Sequence, residues 1–161
     1  MLEYRHLSTR YVKNTLYCCY SLQKMVDFAF ETTLSGKLYV NLFESLKKRG
    51  YKVHIFFLWV PDSDLVISRI KSRVAQGGHD VPVRDVLRRF NRSISNFFKL
   101  YRPLADSWML FGNAGVIPIL IAEKKNSKVK IINESLYEHI IEGIGSIWKS
   151  DCLCTTRLFW R

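Results

Sequence analysis

The chain predicts an α/β domain with a mostly parallel sheet. Three observations lead there. Short apolar runs alternate with segments of helical period between about residues 26 and 143. The run Val53–Val60 is almost continuously apolar, the pattern of a parallel strand covered on both faces. A length of 161 residues with 48% apolar residues suits one domain with its own core. The expected organisation is an atypical amino-terminal segment 1–25, a core 26–143 and an unpatterned tail 144–161.

Phe28-Ala-Phe30 reads as a short strand that delivers Glu31-Thr-Thr33 to its carboxyl end. Leu38, Leu42 and Leu46 recur at i, i+4 and i+8, so 37–49 reads as a helix. Lys47-Lys-Arg49 suits its dipole, and Gly50 suits a left-handed exit. Tyr51–Val60 follows as a strand. Pro61-Asp-Ser63 supplies a turn and a cap for a helix to Ala75, which Gly77-Gly78 ends as a flexible hinge. A long helix then opens with Pro82 in its first turn. Val83, Val86, Leu87, Phe90, Ile94, Phe97, Phe98 and Tyr101 keep its period until Pro103. Trp108–Phe111, Val116–Ala122 and Val129–Ile132 read as strands, with a turn at Asn113-Ala-Gly115, and Glu134–Glu142 as a last helix. Trp59 and Trp108, inside apolar strands, read as core.

Charge is concentrated. Residues 69–102 hold nine Lys/Arg against two Asp, a net +7 of the chain's +11. Arg84, Arg88 and Arg92 form a stripe at i, i+4 and i+8, with Arg73 and Arg89 close by in sequence. Guanidinium groups clamp phosphate oxygens in two-pronged fashion, so the cluster suits a phosphorylated ligand. The plain alternative is the solvated face of an amphipathic helix. Nucleic acid is disfavoured, because Phe90, Phe97 and Phe98 fall on the opposite helix face and do not interleave with the arginines.

Cys18-Cys19 and Cys152/Cys154 lack metal-ligand spacing, so free thiols and no metal site are expected. The opening Met-Leu-Glu-Tyr-Arg-His-Leu-Ser has no signal-peptide character, and no apolar run approaches the roughly 18 residues of a membrane helix. A cytoplasmic location without membrane contact is the expectation.

Four segments occur in order: Phe28-Ala-Phe-Glu-Thr-Thr-Leu-Ser-Gly36, Gly50-Tyr-Lys-Val-His-Ile-Phe-Phe-Leu-Trp59, Arg73-Val-Ala-Gln-Gly-Gly-His-Asp-Val-Pro82 and Arg88-Arg-Phe90. Together they resemble the zeta-toxin-like P-loop kinases, in the branch described as predicted ABC-type ATPases, over about residues 26–123. The resemblance implies a three-layer P-loop kinase-like fold with an arginine-rich helical lid. It implies transfer of the ATP γ-phosphate, with Mg, to a hydroxyl of a small phosphate-bearing acceptor; in the toxins this is a UDP-linked amino sugar. Arg73, Arg88 and Arg89 would clamp phosphates, Glu31 and Thr33 would grip the nucleotide sugar, and His79 would orient the lid loop. An antitoxin partner belongs to the same resemblance.

The chain departs from that pattern. A P-loop is Gly, four residues, then Gly-Lys-Ser/Thr, so that backbone amides cradle phosphates. None is present: Glu31 stands five residues before Gly36, and Leu38 follows Lys37 where a hydroxyl is required. The general-base aspartate is missing with it, and Ser35 replaces a basic residue of the toxins. The expectation is an incomplete kinase fold lacking the amino-terminal ATP-binding segment and inactive alone. The alternatives are a non-catalytic basic nucleotide- or nucleic-acid-binding module, or a nonfunctional truncated remnant. Bland readings remain for single residues: Glu31 as a strand cap, His79 as a loop stabiliser, Asn113 as a turn former.

Overall fold

The structure, a computed structural model, describes residues 10–11 and 27–151, and the chain divides into two compact units, 1–33 and 34–161. In the first unit, β1 (Arg10–Tyr11) pairs in parallel with β2 (Phe28–Ala29). The rings of Phe28 and Phe30 stack at 6.4 Å. The strand expected at 28–30 is therefore present, and it finds a partner inside the segment 1–25 that carries no clear period.

The second unit begins with α1 (Leu38–Lys48). Its stop is chemical. Gly50 takes φ +84°, and the Gly50 and Tyr51 amides bond back to the Lys47 and Leu46 carbonyls, the paired closure that a left-handed residue permits. β3 (His54–Trp59) follows, then α2 (Ser63–Ala75), with the Asp62 carboxylate accepting from the Asp64 amide at 3.0 Å as its cap. α3 (Val83–Asn96) runs into a π-helical turn, Phe97–Tyr101, and one further turn, Arg102–Leu104. The helical path thus passes Pro103 by one residue, because proline is tolerated at the start of a new turn, where no amide is needed.

β4 (Ser107–Gly112), β5 (Ile119–Lys125), β6 (Lys128–Ile131) and α4 (Glu134–Asp151) complete the unit. The sheet order is β3-β4-β5-β6. β3 and β4 are parallel, but β4–β5 and β5–β6 are antiparallel, so the sheet is mixed where a mostly parallel one was expected. The connections explain this. A parallel return needs a dozen or more residues, and the β3–β4 crossover through α2 and α3 supplies them. Only residues 113–118 join β4 to β5, and Asn126-Ser127 alone, both at positive φ, join β5 to β6.

Two boundaries shift for local reasons. Val116 and Ile117 are not strand, because Pro118 cannot donate to a ladder and β5 starts after it. α4 begins at the cap provided by Asn133, whose Oδ1 accepts from the Leu136 amide at 3.0 Å, and continues to Asp151, into the segment read as an unpatterned tail. Residues 152–161 lie outside the described part, as do Cys18, Cys19, Cys152 and Cys154.

The core lies between the sheet and one helical layer. Phe97 stacks on Phe57 at 4.5 Å and meets Trp108 edge-on at 5.9 Å. Phe43 of α1 packs on Tyr101, and His139 of α4 on Trp59. Phe97, Tyr101, Leu110 and Ile121 are wholly buried. Ile121 is the extra residue of a bulge: Leu110 pairs with Ala122 and Phe111 with Leu120. On the other sheet face, among the described residues, β3 is left exposed. Along β3, Ile55, Phe57 and Trp59 are buried while Phe56 and Leu58 remain 63% and 53% exposed. The strand β3, expected to be covered on both faces, is therefore covered on one among the described residues.

Candidate functional site

The direction of α3 positions the arginines. Phe97 sits at the level of Phe57, and by Asp106 the chain has reached Val53, whose carbonyl accepts the Asp106 amide at 2.9 Å. The helix therefore descends from the carboxyl edge of the parallel pair toward its amino edge. Phe57 lies two residues, roughly 7 Å, from the end of β3, a distance that four or five helical residues cover. The part of α3 upstream of about residue 92 belongs to the crossover that leaves the carboxyl end of β3 and returns to β4, and Val86 within it is buried. α2 packs on α3 and has no fully buried residue.

The join between the two helices, read as a hinge, is a hydrogen-bonded turn. Gly77 takes φ +87°, and the Gly77 and Gly78 amides bond to the Val74 and Arg73 carbonyls at 2.9 Å. A Cβ on Gly78 would stand 2.8 Å from the Arg73 carbonyl oxygen and 2.7 Å from its Cγ. Arg73 is exposed at the end of α2, and His79 is exposed in the connecting loop.

On α3, Val86 and Ile94 are buried, with Phe90 half-buried between them. At about 100° per residue, Arg88 and Arg92 point almost opposite that stripe, and Arg84 and Arg89 lie toward its two flanks. Arg88 is bound to Asp85 at 2.8 Å. Among the described residues no hydrogen bond or ion pair engages the side chains of Arg73, Arg84, Arg89 or Arg92. Arg88 and Arg89, successive on the helix, leave it about 100° apart. Glu31 and Thr33 are exposed at the end of the first unit.

One arginine gave no distinct signal in the sequence. Half-buried Arg69 of α2 donates from Nη2 to the Ala114 carbonyl at 3.1 Å. It thereby reaches the loop after β4, at the carboxyl edge where ligands of open α/β sheets bind. The Asn113 amide is taken by the Trp59 carbonyl at 2.7 Å, so the Asn113 turn ties the two parallel strands together.

The segment after Thr33 is also built. Leu34 is buried at φ 52°, a region costly for a branched side chain. The Asn96 amide donates to the Leu34 carbonyl at 2.9 Å, and the Tyr101 hydroxyl donates to the Gly36 carbonyl. Burial pushes the Tyr101 phenol above its ordinary value.

The amino edge holds a polar knot. Asp106 accepts from the Val53 amide at 2.9 Å and from Lys47 at 3.1 Å, with Lys52 at 3.9 Å. Burial acts to raise its carboxyl, but those hydrogen bonds and lysine charges outweigh it and hold the group below its ordinary value. This knot ties α1 to the sheet.

ATP and Mg do not fit the residues present. The sequence holds no Gly, four residues, then Gly-Lys-Ser/Thr, and Leu38, 70% exposed, follows Lys37 where that motif needs a hydroxyl. Among the described residues no group of three His, Cys, Asp or Glu could hold a metal ion, and no helix is long and apolar enough to cross a membrane.

No family model matches the chain, and no solved structure matches it. Over 60 residues, 37% of this chain, it is 30% identical to an uncharacterized protein of Haemophilus influenzae. The matched stretch spans 43% of that relative, less than half its length.

Proposed function

We propose that the α2–α3 hairpin is a phosphate-binding lid of a zeta-toxin-like phosphotransferase fold, and that this polypeptide binds a phosphate-bearing small molecule without transferring ATP phosphate by itself. What supports this reading is a set of exposed arginines, Arg73 and Arg89 among them, on the helices that cross from β3 to its parallel partner β4, with Arg69 bonded to the loop after β4. Ligands of such sheets lie at their carboxyl edge, and guanidinium groups are the side chains best matched to phosphate oxygens. Arg89 and Arg73 are the first candidates to contact phosphate, and Arg69 would hold the loop after β4. Arg88 contributes less, because Asp85 already neutralises it. The ordered sequence resemblance supplies the nucleotide-sugar class and the roles of Glu31, Thr33 and His79. The missing Gly-Lys-Ser/Thr cradle leaves no means of holding ATP phosphates for in-line transfer.

Titration calorimetry with UDP-N-acetylglucosamine, a UDP-linked amino sugar, tests the reading. Saturable heat that Arg89→Ala weakens at least tenfold is expected. Absence of heat with the folded protein would remove the proposal. Turnover of ATP abolished by the same substitution would overturn its second half.

A further inference from the structure

The first residues of the second unit hold a strained backbone, and two side chains of the helical layer keep it in place. Leu34 is buried at φ 52°, a region disfavoured for leucine. Gly36, the residue type suited to such a φ, stands two positions later and does not use it. A backbone of this kind persists only where its surroundings over-determine it, and such places cluster at ligand clamps.

Here the surroundings are two hydrogen bonds. Asn96 Nδ2 donates to the Leu34 carbonyl at 2.9 Å, and the Tyr101 hydroxyl donates to the Gly36 carbonyl. Burial pushes the Tyr101 phenol up, so it remains a donor at neutral pH. Both donors reach one strap because the helix between them is irregular. On an α-helix, residues five apart leave the axis about 140° apart. The turn Phe97–Tyr101 is π-helical, closed by the Arg102 amide on the Phe97 carbonyl, and such an i→i+5 closure sets residues five apart nearly one above the other. Single π turns recur at functional sites. The strained strap and the irregular turn are separate departures from regular backbone, and they meet in the same two bonds.

The same side of the helix carries an arginine. Arg89 lies seven residues before Asn96 on α3, two turns and about 10 Å, and seven steps of about 100° return to within about 20° of the start. Arg89 and the strap anchor therefore share one flank of α3. Thr33 is the residue before Leu34, and Glu31 is two further back.

We infer that Asn96 and Tyr101 are positioning residues for the sugar of the ligand: they anchor the strap 34–36 on the Arg89 flank of α3, and so fix the point from which the chain bearing Thr33 and Glu31 leaves the second unit. This role rests on the phosphate-binding reading and deepens it, because the grip on the sugar then depends on two residues that touch no ligand. Phosphate recognition by Arg89 does not pass through the strap. Loss of either anchor weakens the hold on the sugar and spares the hold on phosphate. A merely architectural pair would weaken both alike, or neither.

Titration calorimetry with UDP-N-acetylglucosamine and with UDP separates these cases. The wild type is expected to bind the sugar nucleotide more tightly than UDP. Tyr101→Phe keeps the buried ring, and Asn96→Leu keeps the volume. Each is expected to weaken UDP-N-acetylglucosamine about fivefold and to leave UDP within about twofold. In a Thr33→Val background the same changes should add little, since they act through that segment. Asp106→Asn, a lesion at the amino edge, should leave the ratio of the two affinities unchanged. Hydrogen exchange needs no variant: UDP-N-acetylglucosamine should slow the amides of residues 34–37 in the wild type more than UDP does. No heat from the folded wild type with either ligand overturns the phosphate reading and this role together. Binding by the wild type overturns this role alone if the sugar adds no affinity, if both variants keep the wild-type ratio, or if the 34–37 amides are not slowed.

Discussion

The two faces of this sheet come from the same strands but have opposite fates. On one, Ile55, Phe57, Trp59, Trp108 and Leu110 are sealed by Phe97, Tyr101 and α4. On the other, Phe56 and Leu58 are left exposed. Alternation along a strand is blind to this difference, because both sets are apolar. Burial depends on what the rest of the chain provides, and among the described residues it provides one helical layer. The covered face should therefore carry the stability, and the open face and the α2–α3 hairpin should carry encounters with other molecules.

The strongest attempt to break that contrast is a pair of identical chemical changes. Phe97→Ala removes a wholly buried ring that touches Phe57, Phe98 and Trp108. It should cost about 3–5 kcal/mol in urea unfolding. Phe56→Ala should change stability by less than about 0.5 kcal/mol. Equal losses would show that the open face is covered in solution.

A smaller effect is expected at Gly78. Its missing Cβ lets the α2 terminus close on the Arg73 carbonyl, and the neighbour on that side is backbone that cannot swing aside. Gly78→Ala should cost about 2 kcal/mol, close to one lost hydrogen bond plus strain. Because α2 has no fully buried residue, the loss should appear first as faster amide exchange in residues 74–84, with the β4 core still protected.

How much of this was legible follows from where each signal resides. Helix stops were readable at Gly50 and Gly77-Gly78 because left-handed turns are local chemistry. The long helix was readable because the buried stripe from Val86 to Tyr101 repeats at helical period. The parallel β3–β4 pair was readable from the length of the crossover. The mixed sheet was also written locally, in Pro118 and in the two-residue loop Asn126-Ser127, but the continuous apolar strand outweighed those signals. Asp106 was not readable: its partners Lys47 and Val53 are more than fifty residues away, and a lone aspartate before a strand has no pattern. Arg69 looked like any other arginine of its cluster until the fold placed Ala114 beside it. The bare face of β3 could not be seen at all, since coverage is a property of the assembled unit.

Asp106 gives the next effect in size. It binds the helical layer to the amino edge, so it belongs with the covered side of the comparison. Asp106→Asn should cost about 1 kcal/mol near neutral pH, in line with a partly exposed carboxylate that loses its charge-assisted bonds. The sign of its pH dependence is fixed. The folded carboxyl titrates below its unfolded counterpart, so its contribution is complete above the ordinary aspartate range near 4 and fades as pH falls through the lower, folded value. The wild type should therefore lose its advantage over Asp106→Asn below about pH 4, and keep it unchanged from pH 5 to 7. A difference that grows on acidification contradicts the assigned direction.

Arg89 should have the smallest effect on stability, and it tests the other side of the contrast. Its side chain lies on the flank of α3 and engages no described partner, so Arg89→Ala should shift unfolding by less than about 0.5 kcal/mol. Binding should respond instead. A guanidinium that meets phosphate with two parallel donors loses more than charge when replaced, so Arg89→Lys should recover only part of the affinity for UDP-N-acetylglucosamine. Full recovery by lysine would reduce the contact to general electrostatic attraction, which rising salt would then weaken in both proteins alike. Arg92→Ala separates the two cases further. Arg92 points nearly opposite the buried stripe, so it contributes to the field around the hairpin and not to a directed clamp. A ligand held by geometry discriminates Arg89 from Arg92, whereas a diffuse cationic surface treats them as equals.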